Sequence, residues 1–141
     1  MELTRRQTLI AGIGAAAAMV LPIRAFAQDA PMVGELAEFT GGAEPGTGDI
    51  TLTAPEIAEN GNTVPIEVSA PGAAEIRVYA LGNPVPGVAA FTFGPLAASQ
   101  AASTRIRLAT TQEVLAVAKL QDGSFIADRK EVKVTIGGCG G

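Results

Sequence analysis

Beyond residue 49 the chain alternates apolar and polar positions with a period of two. Ile50 and Leu52 alternate with Thr51 and Thr53. Val64, Ile66 and Val68 alternate with Pro65, Glu67 and Ser69, and Ile76, Val78 and Ala80 with Glu75, Arg77 and Tyr79. The pattern returns at Ile106 and Leu108 beside Arg105 and Arg107, and at Val132, Val134 and Ile136 around Lys133 and Thr135. Successive side chains of a strand point to opposite faces, so each stretch predicts a strand with one buried face. Residues 88–93 form a more continuous apolar run. Residues 114–120 predict a strand buried on both faces, and Phe125 and Ile126 open a strand region that 132–136 finishes.

Turn signals separate these runs: Glu59-Asn60-Gly61-Asn62, Ala70-Pro71-Gly72, Gly82-Asn83-Pro84, Gly94-Pro95 and Asp122-Gly123. About seven short strands with frequent turns and little helix predict a mostly β fold. Its expected form is an immunoglobulin-like antiparallel β-sandwich over residues 49–136, with a small barrel as the alternative. Ahead of it, Val33, Leu36 and Phe39 recur at near-helical spacing and predict a short N-terminal helix within residues 30–40. A glycine-rich loop with Pro45 follows, so residues 28–48 form a helix-and-loop segment. Phe91 and Phe93 are expected in the core, since aromatic rings supply large apolar area.

The first 27 residues have another character. Thr4-Arg5-Arg6-Gln7-Thr8-Leu9 leads into an apolar stretch that ends near Ile23, followed by Ala25-Phe26-Ala27 and a polar Gln28-Asp29. A charged start, an apolar middle and a small-x-small end make a signal peptide. The paired arginines point to twin-arginine export, hence to the periplasm. The apolar run is shorter than the roughly 20 residues of a membrane-spanning helix. Cleavage after Ala27 removes Glu2, Arg5, Arg6 and Arg24, which takes the formal net charge from −4 to −6. Such an acidic chain argues against nucleic acid and anionic membrane as partners.

The chemistry concentrates at the other end. The sequence finishes Gly137-Gly138-Cys139-Gly140-Gly141, and Cys139 is the one cysteine. Exported proteins usually hold cysteines in disulfide pairs. A single one implies intermolecular pairing or a reactive thiol. Glycine lacks a Cβ, so Gly137, Gly138, Gly140 and Gly141 predict a flexible, slender arm that can carry the thiol into another protein's pocket. The chain has no histidine, which excludes an internal Ser-His-Asp or Cys-His pair and any histidine-bearing metal site. No cofactor and no catalytic residue are expected. Any base, metal or redox centre acting on Cys139 must come from another molecule.

Three readings of this tail stand beside one another. It is a covalent carrier site, a disulfide tether for a structural secreted domain, or a diglycine end of the kind converted to a thiocarboxylate. The export signal opposes the third, because ATP-dependent activation belongs to the cytoplasm. Elsewhere, Arg105 and Arg107 share one strand face, which is a solvated face or an attractor for anions such as thiosulfate. Asn60-Gly61 predicts a tight turn, since Asn-Gly readily takes positive φ.

Taken together, several segments resemble the SoxY family, the sulfur-carrier subunits of the periplasmic thiosulfate-oxidising Sox system. They are residues 55–65, Asn83-Pro84 with Pro86, residues 104–108, residues 112–118, Asp122-Gly123, and residues 132–141 with the terminal pentapeptide. The resemblance implies a sandwich domain paired with a SoxZ-like subunit in a heterodimer. It implies that Cys139 holds the sulfur substrate covalently, as a thiosulfonate and then a persulfide. It further implies three enzyme partners: a c-type cytochrome that loads thiosulfate, a hydrolase that releases sulfate, and a molybdenum-haem dehydrogenase that oxidises the sulfane sulfur. The carrier itself is then non-catalytic.

Overall fold

In the computed structural model, residues 34–138 are described. The expected signal peptide at 1–27, the segment 28–33, and Cys139, Gly140 and Gly141 lie outside the described residues. The fold consists of one helix, α1 (Gly34–Thr40), followed by eight strands: β1 (Thr51–Thr53), β2 (Ile57–Asn60), β3 (Val64–Ser69), β4 (Ala73–Ala80), β5 (Gly87–Thr92), β6 (Ala101–Ile106), β7 (Gln112–Leu120) and β8 (Phe125–Ile136). They form a three-stranded sheet in the order β1-β3-β6 and a five-stranded sheet in the order β2-β8-β7-β4-β5.

The sandwich expected from the alternation is the fold observed. Strand β3 buries Val64, Ile66 and Val68 and exposes Pro65 and Glu67. Its inward side chains meet Leu52 of β1 and Ile106 of β6. From the facing sheet come Ile76, Val78, Val114, Ala116, Ala118, Ile126 and Val132. Strand β7 is buried on both faces from Val114 to Ala118, as the apolar run predicted. Its second face, with Tyr79 of β4, packs against Leu36 of α1, and Phe39 and Phe125 close that smaller cluster. Helix α1 ends where Gly41 and Gly42 take φ of 65° and 86°. The Gly42 amide donates to the Ala37 carbonyl at 3.0 Å, a left-handed cap that L side chains disfavour.

The structure departs from the sequence expectation in four places. Strand β2 is an eighth strand where only a turn was expected. Ala58 is its single buried residue, so it shows no apolar alternation. It pairs parallel with β8, an exception to the antiparallel pattern, which the named strands otherwise follow. Strand β6 lies earlier than Ile106 and Leu108 suggested: Ala101 to Thr104 are small or polar, and pairing with β3 draws them into the sheet. Phe91 and Phe93 are half-buried against the core rather than inside it, because β5 is an edge strand.

Tyr79 carries an unusual group. The residue is 2% exposed, and its hydroxyl makes no hydrogen bond of ordinary geometry among the described residues, with the Arg77 guanidinium as a polar neighbour. Burial holds this phenol above its ordinary value of 10.0, opposed by the nearby Arg77 guanidinium. The unfolded chain therefore ionises first. The stability due to the neutral phenol is present below pH 10.0 and is lost as pH rises through the folded value. Tyr79→Phe is expected to raise stability at neutral pH by about 1 kcal/mol, since it removes an unsatisfied buried hydroxyl. It should also flatten the alkaline decline in a urea-melt series across pH.

Candidate functional site

The site is built where β8 ends. Strand β8 runs between β7 and β2 and delivers Ile136 to one end of the sandwich, and Gly137 and Gly138 follow. Two other segments close on them there: the turn after β2 and the chain after β6. A backbone circuit joins all three. The Gly61 amide donates to the Ile136 carbonyl at 2.7 Å, and the Leu108 amide donates to the Gly61 carbonyl at 2.7 Å. The Gly138 amide then donates to the Leu108 carbonyl at 2.8 Å. Gly61 and Gly138 are buried, and Leu108 is fully so.

This convergence explains the glycines in a way that composition alone did not. A Cβ on Gly61 would collide with the Leu108 carbonyl oxygen and lie 2.8 Å from the Gly138 nitrogen. A Cβ on Gly137 would collide with the Ala109 carbonyl oxygen, and one on Gly138 would lie 2.8 Å from the Gly61 oxygen. Backbones approach here more closely than any side chain allows. Gly61 does not have positive φ, so Asn60-Gly61 is not the turn type expected.

A buried polar pair supports the Leu108–Ala109 side of this junction. Asn83 and Gln112 are only 6% and 8% exposed. The Asn83 Nδ2 donates to the Arg107 carbonyl at 2.8 Å, and its Oδ1 accepts from the Ala109 amide at 2.9 Å. The Gln112 Nε2 donates to Asn83 Oδ1 at 2.8 Å and to the Thr110 carbonyl at 3.0 Å, while its Oε1 accepts from the Gly82 amide at 2.8 Å. Two side chains thus fix the path of residues 107–110, and that path grips the base of the tail. On the other side of the exit, Thr111 Oγ1 accepts from the Val134 amide at 2.9 Å.

Of the site residues expected from sequence, Gly137 and Gly138 are brought into this junction. Cys139 lies outside the described residues, as do Gly140 and Gly141. Of the two glycines in the junction, Gly138 is buried and hydrogen-bonded to the Leu108 carbonyl, while Gly137 is exposed. Arg105 and Arg107 are exposed on the side opposite the buried Ile106 and Leu108, on a solvated face. Sequence reasoning missed Asn83, Gln112, Leu108 and Ala109 as parts of the site. Among the described residues no group of three or more His, Cys, Asp or Glu side chains is arranged to hold a metal ion.

Comparison with known proteins is consistent with this geometry. The family model for the sulfur oxidation protein SoxY matches residues 36–139, a span that reaches the tail cysteine. The sulfur carrier protein SoxY from Chlorobium limicola f thiosulfatophilum has a similar structure. It is 34% identical, with a TM-score of 0.63, over 71% of this chain and 88% of that one. A superoxide reductase (neelaredoxin) from Ignicoccus hospitalis is 21% identical, with a TM-score of 0.55, over 62% of this chain and 81% of its own. At that identity the likeness shows the fold alone. No curated protein matches the sequence.

Proposed function

The chain belongs to the SoxY family of sulfur oxidation proteins, and from that premise we propose that it is a non-catalytic carrier holding sulfur intermediates covalently on Cys139. The observation that carries this reading is where that cysteine falls in the sequence. The chain's one cysteine follows directly on Gly138, which the fold grips by its backbone, and it falls inside the span shared with the family.

The chemistry follows from the thiolate, which is the nucleophile of sulfur exchange. Joining the Cys139 sulfur to the sulfane sulfur of thiosulfate forms an S–S bond, releases the thiol proton and gives up two electrons. A c-type cytochrome partner accepts those electrons. Hydrolysis by a second enzyme consumes water, releases sulfate and leaves a persulfide on Cys139. A molybdenum-haem enzyme oxidises the outer sulfur of the persulfide to the sulfonate, taking the oxygen atoms from water and passing the electrons to its haem, and a last hydrolysis releases sulfate and restores the thiol. The described residues contribute presentation: the junction around Gly61 and Leu108 holds the base from which the thiol is offered. Reconstitution tests the reading. Electron transfer from thiosulfate to the cytochrome should require this protein in its reduced form. Equal transfer without it would overturn the proposal.

The family also points to a stable pairing with a SoxZ-like subunit and to work in the periplasm. Arg5-Arg6 and Ala25-Phe26-Ala27 supply the export motive. A tagged protein recovered from the periplasm should begin near Gln28 and carry the partner in a one-to-one complex. Changing both arginines to lysine should leave uncleaved precursor inside the cell. Normal export of that variant would contradict the twin-arginine assignment.

A further inference from the structure

The chain holds three asparagines, and they differ in one reactivity. An asparagine loses its side-chain amide when the backbone nitrogen of the next residue attacks its Cγ. The ring that forms is a succinimide, and the amide leaves as ammonia. Asn83 precedes Pro84, whose nitrogen carries no proton and cannot close this ring. Asn62 precedes Thr63, whose branched Cβ crowds the approach. Asn60 precedes Gly61, whose nitrogen has no side chain beside it. By chemistry alone Asn60 is the vulnerable one, and it is exposed to water.

The fold opposes that chemistry at each requirement. The attacking nitrogen must first give up its proton, and the Gly61 amide donates that proton to the Ile136 carbonyl at 2.7 Å. Gly61 is also buried, and its carbonyl accepts from the Leu108 amide at 2.7 Å. Amides held in this way release their protons only when the structure opens locally. Ring closure further requires Asn60 to leave the extended backbone. Asn60 is the last residue of β2 and is paired in register with Ile136 of β8. Its Oδ1 accepts from the Asn62 amide at 3.0 Å, which ties the side-chain carbonyl to a different nitrogen.

We propose that Asn60-Gly61 is a latent deamidation site, shut by the bonds that seat Gly61 between Ile136 and Leu108, and that its conversion to isoaspartate breaks this seat irreversibly. When the seat opens, the freed Gly61 nitrogen attacks the Asn60 Cγ and ammonia departs. One water molecule then opens the succinimide at either carbonyl. One product is aspartate at position 60, which keeps the length of the main chain and an oxygen for the Asn62 amide, so the seat re-forms. The other is isoaspartate, which adds one methylene to the main chain just ahead of Gly61. The seat has no room for that shift, since even a Cβ on Gly61 would collide with the Leu108 carbonyl oxygen. The two 2.7 Å bonds cannot then both be kept. The site stands independently of the carrier reading.

The test incubates the full chain at mildly alkaline pH, folded and unfolded in urea, and follows each asparagine by peptide mass and isoaspartate content. The unfolded chain should convert Asn60 at least tenfold faster than the folded protein, mostly to isoaspartate, and faster than it converts Asn62 or Asn83. Through a series of urea concentrations below the unfolding transition, conversion at Asn60 should rise in parallel with deuterium exchange of the Gly61 amide. The isoaspartate form, refolded and purified, should have lost protection at the Gly61 and Leu108 amides. The Asn60→Asp variant should keep it, which separates the added methylene from the added charge. Equal conversion in the folded and unfolded chains would overturn the latent site. Conversion that stays flat while the Gly61 amide exchanges freely would overturn the seat as its lock. An isoaspartate form that still protects both amides, or an Asn60→Asp variant that has lost them too, would overturn the irreversible break.

Discussion

With Cys139 replaced by serine, the protein should support no thiosulfate-dependent electron transfer to a cytochrome partner, while its melting temperature stays at the wild-type value. Serine keeps the size of the side chain and removes the sulfur. No other side chain of the chain can form the same S–S bond, because the sequence holds one cysteine. The described cores draw on residues from Leu36 to Val134, so the fold is expected to hold. The result also separates the rival readings of the tail. A disulfide tether would lose its dimer but leave oxidation intact, and a thiocarboxylate on Gly141 would be indifferent to the substitution.

Asn83→Ala is expected to be the most damaging of the substitutions outside the hydrophobic cores. It deletes the acceptor of the Ala109 amide and the donor to the Arg107 carbonyl, and removes one of two partners of the Gln112 Nε2. Unsatisfied buried groups cost about 1–3 kcal/mol each. A loss of about 3 kcal/mol is expected, which for a domain of this size lowers Tm by roughly 10–20 °C. Asn83→Asp should fall between, since it keeps the acceptor but turns a carboxylate oxygen toward the Arg107 carbonyl. The carrier activity of Asn83→Ala, measured well below its Tm, should fall as well, because residues 107–109 hold Gly137 and Gly138. A change below 1 kcal/mol in denaturant melts would show that the pair does not support the junction.

Much of this molecule is legible in its sequence, and the reasons differ from place to place. Strands β1, β3, β4, β7 and β8 announce themselves because one face, or in β7 both, lies in a core. Strand β2 stays silent because an edge strand with only Ala58 buried has nothing to alternate. The thiol at Cys139 is legible from composition, since a lone cysteine among glycines has few uses. The junction around Gly138 just before it is not. Asn83 and Gln112 look like ordinary polar residues at a turn and a strand start, and their partnership spans 29 residues. Gly61 carries a strong local turn signal, the Asn-Gly pair. Its actual constraint is the approach of Leu108 and Gly138 from far along the chain, which no local pattern encodes.

The most direct test of the central claim is the mass of the native protein, isolated from cells growing on thiosulfate and measured intact, before and after reduction, then mapped by peptide. Additions matching thiosulfonate and persulfide should be found on the peptide that contains Cys139, and reductant should remove them. A modification found only on the Gly141 carboxylate, or none beyond a disulfide-linked dimer, would contradict the assignment of Cys139 as the covalent carrier site.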